Sequence, residues 1–116
     1  MPTKELPVAQ LKAELFKALA HPMRIRALEQ LAEGENSVGE LATRLDVEIS
    51  HLSQQLAVLR KVGVVTTRRE GTTVYYSVAD ARFVALLAIA RALLIDSLQN
   101  SQAVLDTLQR ETGKRS

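Results

Sequence analysis

Between Lys61 and Val64 the sequence changes period, and that change limits the folds open to the chain more than any other feature. Up to Lys61, apolar residues recur at three- and four-residue steps, the spacing of a helix face. Val64 to Arg69 and Thr73 to Val78 are instead rich in β-branched and aromatic residues. Glu70-Gly71-Thr72 between them reads as a short glycine-containing turn, so the pair is expected to form a two-stranded hairpin. After Asp80 the helical spacing returns and holds to about Arg110. A chain of 116 residues with one hairpin set among helices is mainly α, and is long enough for one domain, 1–116, with a modest core.

Four helices are expected before the hairpin. Val8 to Ala20 puts Leu11, Leu15, Ala18 and Leu19 on one face, with Phe16 beside it. His21-Pro22 interrupts this helix, because the residue before proline disfavours the helical region; Pro22 then suits the first turn of the next. That second helix runs to about Ala32, with Ile25, Leu28 and Leu31 inward and Gly34 just past its end. Ser37-Val38-Gly39-Glu40 has the S-x-x-E form of a capping box and opens a third helix carrying Leu41, Ala42 and Leu45. Asp46 tolerates the left-handed conformation of a tight turn into the fourth, Ile49 to Lys61, which stops before Gly63. The order is that of a winged helix: helix-turn-helix at 37–62, wing at 64–78, and flanking helices at 8–20 and 80–110.

The fourth helix, ISHLSQQLAVLRK, has an unusual surface. At about 100° per residue, Ile49, Leu52, Leu56 and Leu59 form a stripe on less than a quarter of its circumference. The remainder carries Ser50, His51, Ser53, Gln54 and Gln55, then Arg60 and Lys61, and no acid. Ser50, Gln54 and Lys61 fall nearly opposite the stripe, with His51 and Gln55 to one side and Ser53 and Arg60 to the other. Hydroxyls and amides can pair with base edges in a duplex major groove, where glutamine suits adenine. An acid on that face would be repelled by the phosphates. We therefore expect Ser50, Gln54 and His51 at base edges, and Ser53, Gln55, Arg60 and Lys61 at the backbone or flank.

Net charge is only +2, but its distribution favours the same partner. From Ile49 to Tyr76 the charged residues are Arg60, Lys61, Arg68, Arg69 and Glu70, a local net of +3, so the other segments together are slightly negative. On the wing, Arg68, Arg69, Thr72 and Thr73 are placed to reach the backbone or the neighbouring minor groove. Tyr75 and Tyr76 read as packing residues. In the last helix Phe83, Val84, Leu86, Leu87, Ile89, Leu93, Leu94, Ile95 and Leu98 are too widely spread for one buried stripe. In so small a chain the second cover is expected to be another copy of it.

Four segments, in order and at the right spacing, resemble the ArsR/SmtB transcriptional regulators. ALAHPMRIRALEQL (Ala18 to Leu31) is similar to the family's opening "LaDPtRlriL" block. SVGELATRLDVEIS (Ser37 to Ser50) resembles the first half of the family's helix-turn-helix, and HLSQQLAVLRKVGVV (His51 to Val65) its recognition helix. REGTTVYYSV (Arg69 to Val78) resembles the wing pattern "G-x-x-v-Y-Y-x-l". The resemblance covers roughly Phe16 to Leu98. It implies a homodimer built on the first and last helices, which would bury Leu11, Leu15, Phe83, Leu86, Leu87, Leu93, Leu94 and Leu98. It also implies an imperfect inverted-repeat operator in double-stranded DNA, with Ile49–Lys61 in the major groove. The family often has histidine where Gln54 stands; glutamine keeps the hydrogen bonds and removes the pH dependence.

Many such regulators sense metals, but the matching positions here are poor in ligands. The stretch Ser37-Val38-Gly39-Glu40-Leu41 holds no thiol, as the chain has no cysteine. At the ends of the last helix the family's Asp, His, His and His/Glu correspond to Asp80, Arg82, Leu93 and Asp96. Two carboxylates without imidazole suit zinc, nickel or cobalt poorly, and Asp80 reads better as a helix N-cap. His21 and His51 lie in different elements, the first in a structural role. We expect no family-type metal site and no cofactor. The signal would be a small organic ligand in the dimer interface or a sensor protein, and a constitutive DNA binder stays open. No catalytic constellation is present: Ser50 and His51 are adjacent on a helix and point about 100° apart. No membrane span or signal peptide is expected, and a cysteine-free chain fits the cytoplasm. Two alternatives remain beside a DNA-binding regulator: a metal-responsive repressor with an unrecognised site, and a winged-helix protein-interaction adaptor.

Overall fold

A computed structural model describes residues 5–115. The elements are α1 (Glu5–Leu19), α2 (Pro22–Leu31), β1 (Asn36–Ser37), α3 (Val38–Leu45), α4 (Ile49–Lys61), β2 (Val65–Glu70), β3 (Thr73–Val78) and α5 (Ala81–Arg115). The mainly α architecture with a β-hairpin wing is as expected. The wing is part of a three-stranded antiparallel sheet of order β1-β3-β2. Strand β1 was not expected: Asn36 pairs with Tyr76 and Ser37 with Tyr75, and two residues are too few to show a period. The chain divides into two compact units, 1–84 and 85–116.

The core of the first unit is built by the helix-turn-helix and what packs on it. Leu28 of α2, Leu41 of α3, and Leu52, Leu56 and Leu59 of α4 are fully buried, as are Val64 and Val65 leading into β2. Each is worth about 1.5–3 kcal/mol of burial. Ala18 and Leu19 add the end of α1. Two inward assignments differ. Ile49 is 50% exposed, because it lies at the edge of the α4 stripe and at the helix's first residue. Ile25 is half-buried, while Ala27 is fully buried: the covered face of α2 centres on Ala27, Leu28 and Leu31, about a third of a turn away.

Local chemistry fixes the boundaries. His21 caps α2, its Nδ1 accepting from the Met23 amide at 3.1 Å, with Pro22 in the first turn. Ser37 Oγ accepts from the Glu40 amide at 3.2 Å and Glu40 Oε1 from the Ser37 amide at 2.9 Å, the expected capping box. These bonds, the backbone one first, hold the Glu40 carboxyl below its usual range. Asp46 makes the helix-helix turn in the left-handed region, φ 54°. Arg26 Nη2 donates to Leu45 O at 2.8 Å and closes the end of α3. Helix α4 ends where Gly63, at φ 81°, donates to Arg60 O and Val64 to Leu59 O, a Schellman motif that sends Val64 into the core. On the wing Glu70 pairs with Thr73, leaving Gly71-Thr72 as the turn, with Gly71 at φ 63°.

Helix α5 continues to Arg115, past the expected end near Arg110. Residues 1–4 and 116 lie outside the described residues, and the expectation of no signal peptide falls partly on them. In the second unit Leu86, Ile89, Leu93, Leu94, Ile95, Leu98, Val104, Leu105 and Leu108 are all exposed. No helix among the described residues is long and apolar enough to cross a membrane.

Candidate nucleic-acid interface

The buried leucines of α4 determine which of its side chains can meet a partner. With Leu52, Leu56 and Leu59 in the core, Ser50, His51, Ser53, Gln54, Arg60 and Lys61 are all exposed. Their face is free of acid along the whole helix and polar except at Ala57 and the half-buried Val58. Glu48 precedes it as N-cap residue but makes no side-chain capping bond.

Gln55 is placed differently from its neighbours. It is half-buried, and its Oε1 accepts from Arg24 Nε at 2.7 Å. The same guanidinium donates through Nη1 to Ala18 O at 3.0 Å and Lys17 O at 3.4 Å. Arg24 thus ties α4 to the C-terminus of α1, with Gln55 as the α4 end of that tie. Neither partner is suggested by sequence spacing, since they are 31 residues apart.

The wing arginines are not equivalent. Arg68 is bonded to Glu35 and to Glu70, and its guanidinium lies 4.6 Å from the Tyr75 ring centre. The bond from Arg68 holds the Glu35 carboxyl below its ordinary value, and Arg68 is correspondingly harder to deprotonate. Arg69 has no such partners among the described residues and is exposed, as is Thr72; Thr73 is half-buried. Glu35, which precedes the unexpected strand β1, and Arg24 are residues that sequence reasoning missed.

Two further groups bear on the metal question. Asp80 Oδ1 accepts from the Arg82 amide at 2.8 Å and its carboxylate also binds the Arg82 side chain, which pushes its pKa down to about 2. This is the N-cap geometry expected of it. The rings of His21 and His51 meet edge to face, with centres 6.4 Å apart, a proximity the sequence did not suggest. Among the described residues no cluster of three or more His, Cys, Asp or Glu could hold a metal.

The model of the bacterial regulatory proteins of the arsR family matches residues 21–67, which span α2, α3, α4 and the start of the wing. An uncharacterized HTH-type transcriptional regulator of Mycobacterium tuberculosis, Rv0081, is 51% identical over 104 residues, covering 89% of this chain and 91% of that one. Its crystal structure superposes with a TM-score of 0.73 over 81% of this chain and 95% of that chain. A biofilm growth-associated repressor of Agrobacterium fabrum is 43% identical over 88 residues, 76% of this chain and 75% of its own. The homodimeric winged helix-turn-helix DNA-binding domain Mb0332 of Mycobacterium bovis, a possible ArsR-family regulator, matches at 30% identity. Its TM-score is 0.77, over 86% of this chain and 93% of that chain. Fold, motif order and relatives agree with the resemblance read from the sequence, and place the chain in a regulatory, non-enzymatic class. The chain belongs to the ArsR family of bacterial regulatory proteins.

Proposed function

We propose that the protein is a cytoplasmic homodimer that binds an inverted-repeat operator in duplex DNA and regulates transcription from it. The observation that carries this reading is the α4 face: exposed, acid-free, rich in hydroxyls and amides, and flanked by Arg60 and Lys61, on a helix whose other face is the core. Ser50, His51 and Gln54 read base edges. Ser53, Gln55, Arg60 and Lys61 serve the backbone and flank, while Arg69, Thr72 and Thr73, with Arg68 behind them, serve the wing. Helix α5 and the Leu11–Leu15 side of α1 form the dimer contact, consistent with a homodimeric relative. The signal is a small ligand or a partner protein rather than a family-type metal.

The test is selection of a duplex from a random pool, followed by anisotropy titration over a range of salt. Binding should weaken along a log–log slope of about −0.9 per phosphate neutralised. Gln54→Ala should relax sequence preference, while Lys61→Ala should weaken all duplexes alike and reduce the slope by about 1. A protein that ignores every duplex at low salt refutes the reading. Calorimetry with nickel and zinc on tag-free protein tests the metal alternative, which stoichiometric tight binding that alters DNA affinity would establish.

A further inference from the structure

We propose that a cleft in the first unit, between the last turns of α1 and α4 and the first turn of α2, binds a small amphipathic carboxylate and is where an effector acts on the recognition helix. The effector role rests on the DNA-binding reading; the site itself does not.

The cleft has a volume of about 550 Å³, within the roughly 300–1,000 Å³ of small-molecule sites. Ala18, Val58 and Val62 give it an apolar wall, and Lys17, Arg24 and Lys61 face it against a single acid, Glu14. Lys17 and Lys61 are exposed and take part in no ion pair or side-chain hydrogen bond among the described residues. Each sits in the last turn of its helix, where the C-terminal dipole favours a cation. The site therefore pairs an apolar body with an excess of positive charge at its rim. That combination selects one carboxylate on a hydrocarbon or aromatic skeleton, and Glu14 disfavours polyanions.

Two features couple the cleft to α4. Arg24 forms part of its wall and holds Gln55 at 2.7 Å, so an anion that draws on Arg24 loosens the tie on the recognition helix. Lys61 faces the cleft and is also a proposed phosphate contact, so a bound carboxylate removes one positive charge from the DNA footprint. Linkage then requires operator DNA and carboxylate to weaken each other's binding. The charged rim that α1 gives the cleft is turned away from the proposed dimer face. At about 100° per residue, Lys17 is turned more than a third of the circumference, and Glu14 about a fifth, from the middle of the Leu11–Leu15 side; Ala18 shares that side and is buried.

The probe is octanoate, titrated into the full ¹⁵N-labelled protein without DNA, with 1-octanol and inorganic phosphate as controls. Octanoate should shift the Ala20, Val58 and Val62 amides saturably, and Lys17→Ala should weaken it about tenfold while leaving the melting temperature and unliganded DNA affinity unchanged. Adding octanoate to the operator complex should then weaken DNA binding, and Lys17→Ala should abolish that response. Equal shifts with 1-octanol overturn the carboxylate requirement. Equal shifts with phosphate make the cleft a seat for the DNA backbone instead. Shifts confined to α5, or indifferent to Lys17→Ala, overturn the site. Octanoate bound in the cleft of a protein that ignores every duplex overturns the effector role and the functional reading while the site stands. DNA binding with no octanoate in the cleft overturns the site alone.

Discussion

Arg68 enters the wing with its charge already balanced. Glu35 and Glu70 bond its guanidinium and Tyr75 lies beneath it, so a DNA phosphate must share or displace those partners. Removing the Glu35 charge should free it. Glu35→Gln is expected to tighten duplex binding at fixed salt and steepen the salt slope by up to about 0.9; unchanged or weaker binding would make Arg68 a brace of the wing. Asp80 offers a pH test. Its pKa is pushed down from 3.8 to about 2, chiefly by the Arg82 side chain. A depressed carboxylate stabilises fully above its ordinary value and loses that contribution as pH falls through the folded one. The cap on α5 should therefore persist down to about pH 2. A carbon-detected titration should give Asp80 that midpoint, and Arg82→Ala should return it toward 3.8. These pairs show what sequence spacing could and could not reveal. Asp80 caps a helix two residues away and was legible; Glu35–Arg68 and Arg24–Gln55 join residues 33 and 31 apart and were not.

At the scale of elements, boundaries were legible wherever they rest on local chemistry. Ser37 and Glu40, Asp46 and Gly63 set their turns with bonds spanning a few residues. The inward face of α2 was less legible, since Ala27 is fully buried yet carries a weaker hydrophobic signal than Ile25. Strand β1 escaped because its two residues are selected by backbone pairing to β3 rather than by side-chain type. Ser37 belongs both to that strand and to the capping box. Ser37→Ala should leave the ladder and remove the cap, at a cost of about 1 kcal/mol, seen as a melting point lower by a few degrees. Leu56→Ala opens a hole at a fully buried position and should cost about 2–5 kcal/mol. A change no larger for Leu56→Ala than for Ser37→Ala would mean that α4 is not anchored through this leucine. In that case the core does not hold the other face of α4 outward toward a partner.

At the scale of the molecule, the open question is what covers α5. Leu94, Leu98, Leu105 and Leu108 follow one another at steps of four, seven and three residues, the spacing of one helix face. Leu94 and Leu98 are 64% and 69% exposed in the single chain. Left in water, such a row favours association, and a second copy supplies an identical row by two-fold symmetry. Two linked heads bind two half-sites with an effective concentration that one head lacks, a gain of about 10²–10⁴ without any new base contact. Leu94→Glu with Leu98→Glu should therefore separate the copies, read by sedimentation as a species of half the mass. The first unit holds its own core in Leu28, Leu41, Leu52, Leu56 and Leu59, and its amide spectrum should survive the change. Operator affinity should fall by the avidity factor, and the preference for two half-sites about 34–36 Å apart should disappear. A double variant that stays dimeric would place the self-contact elsewhere. One that becomes monomeric yet binds the operator unchanged would mean that a single α4 reads the whole site, and the inverted-repeat proposal would fail.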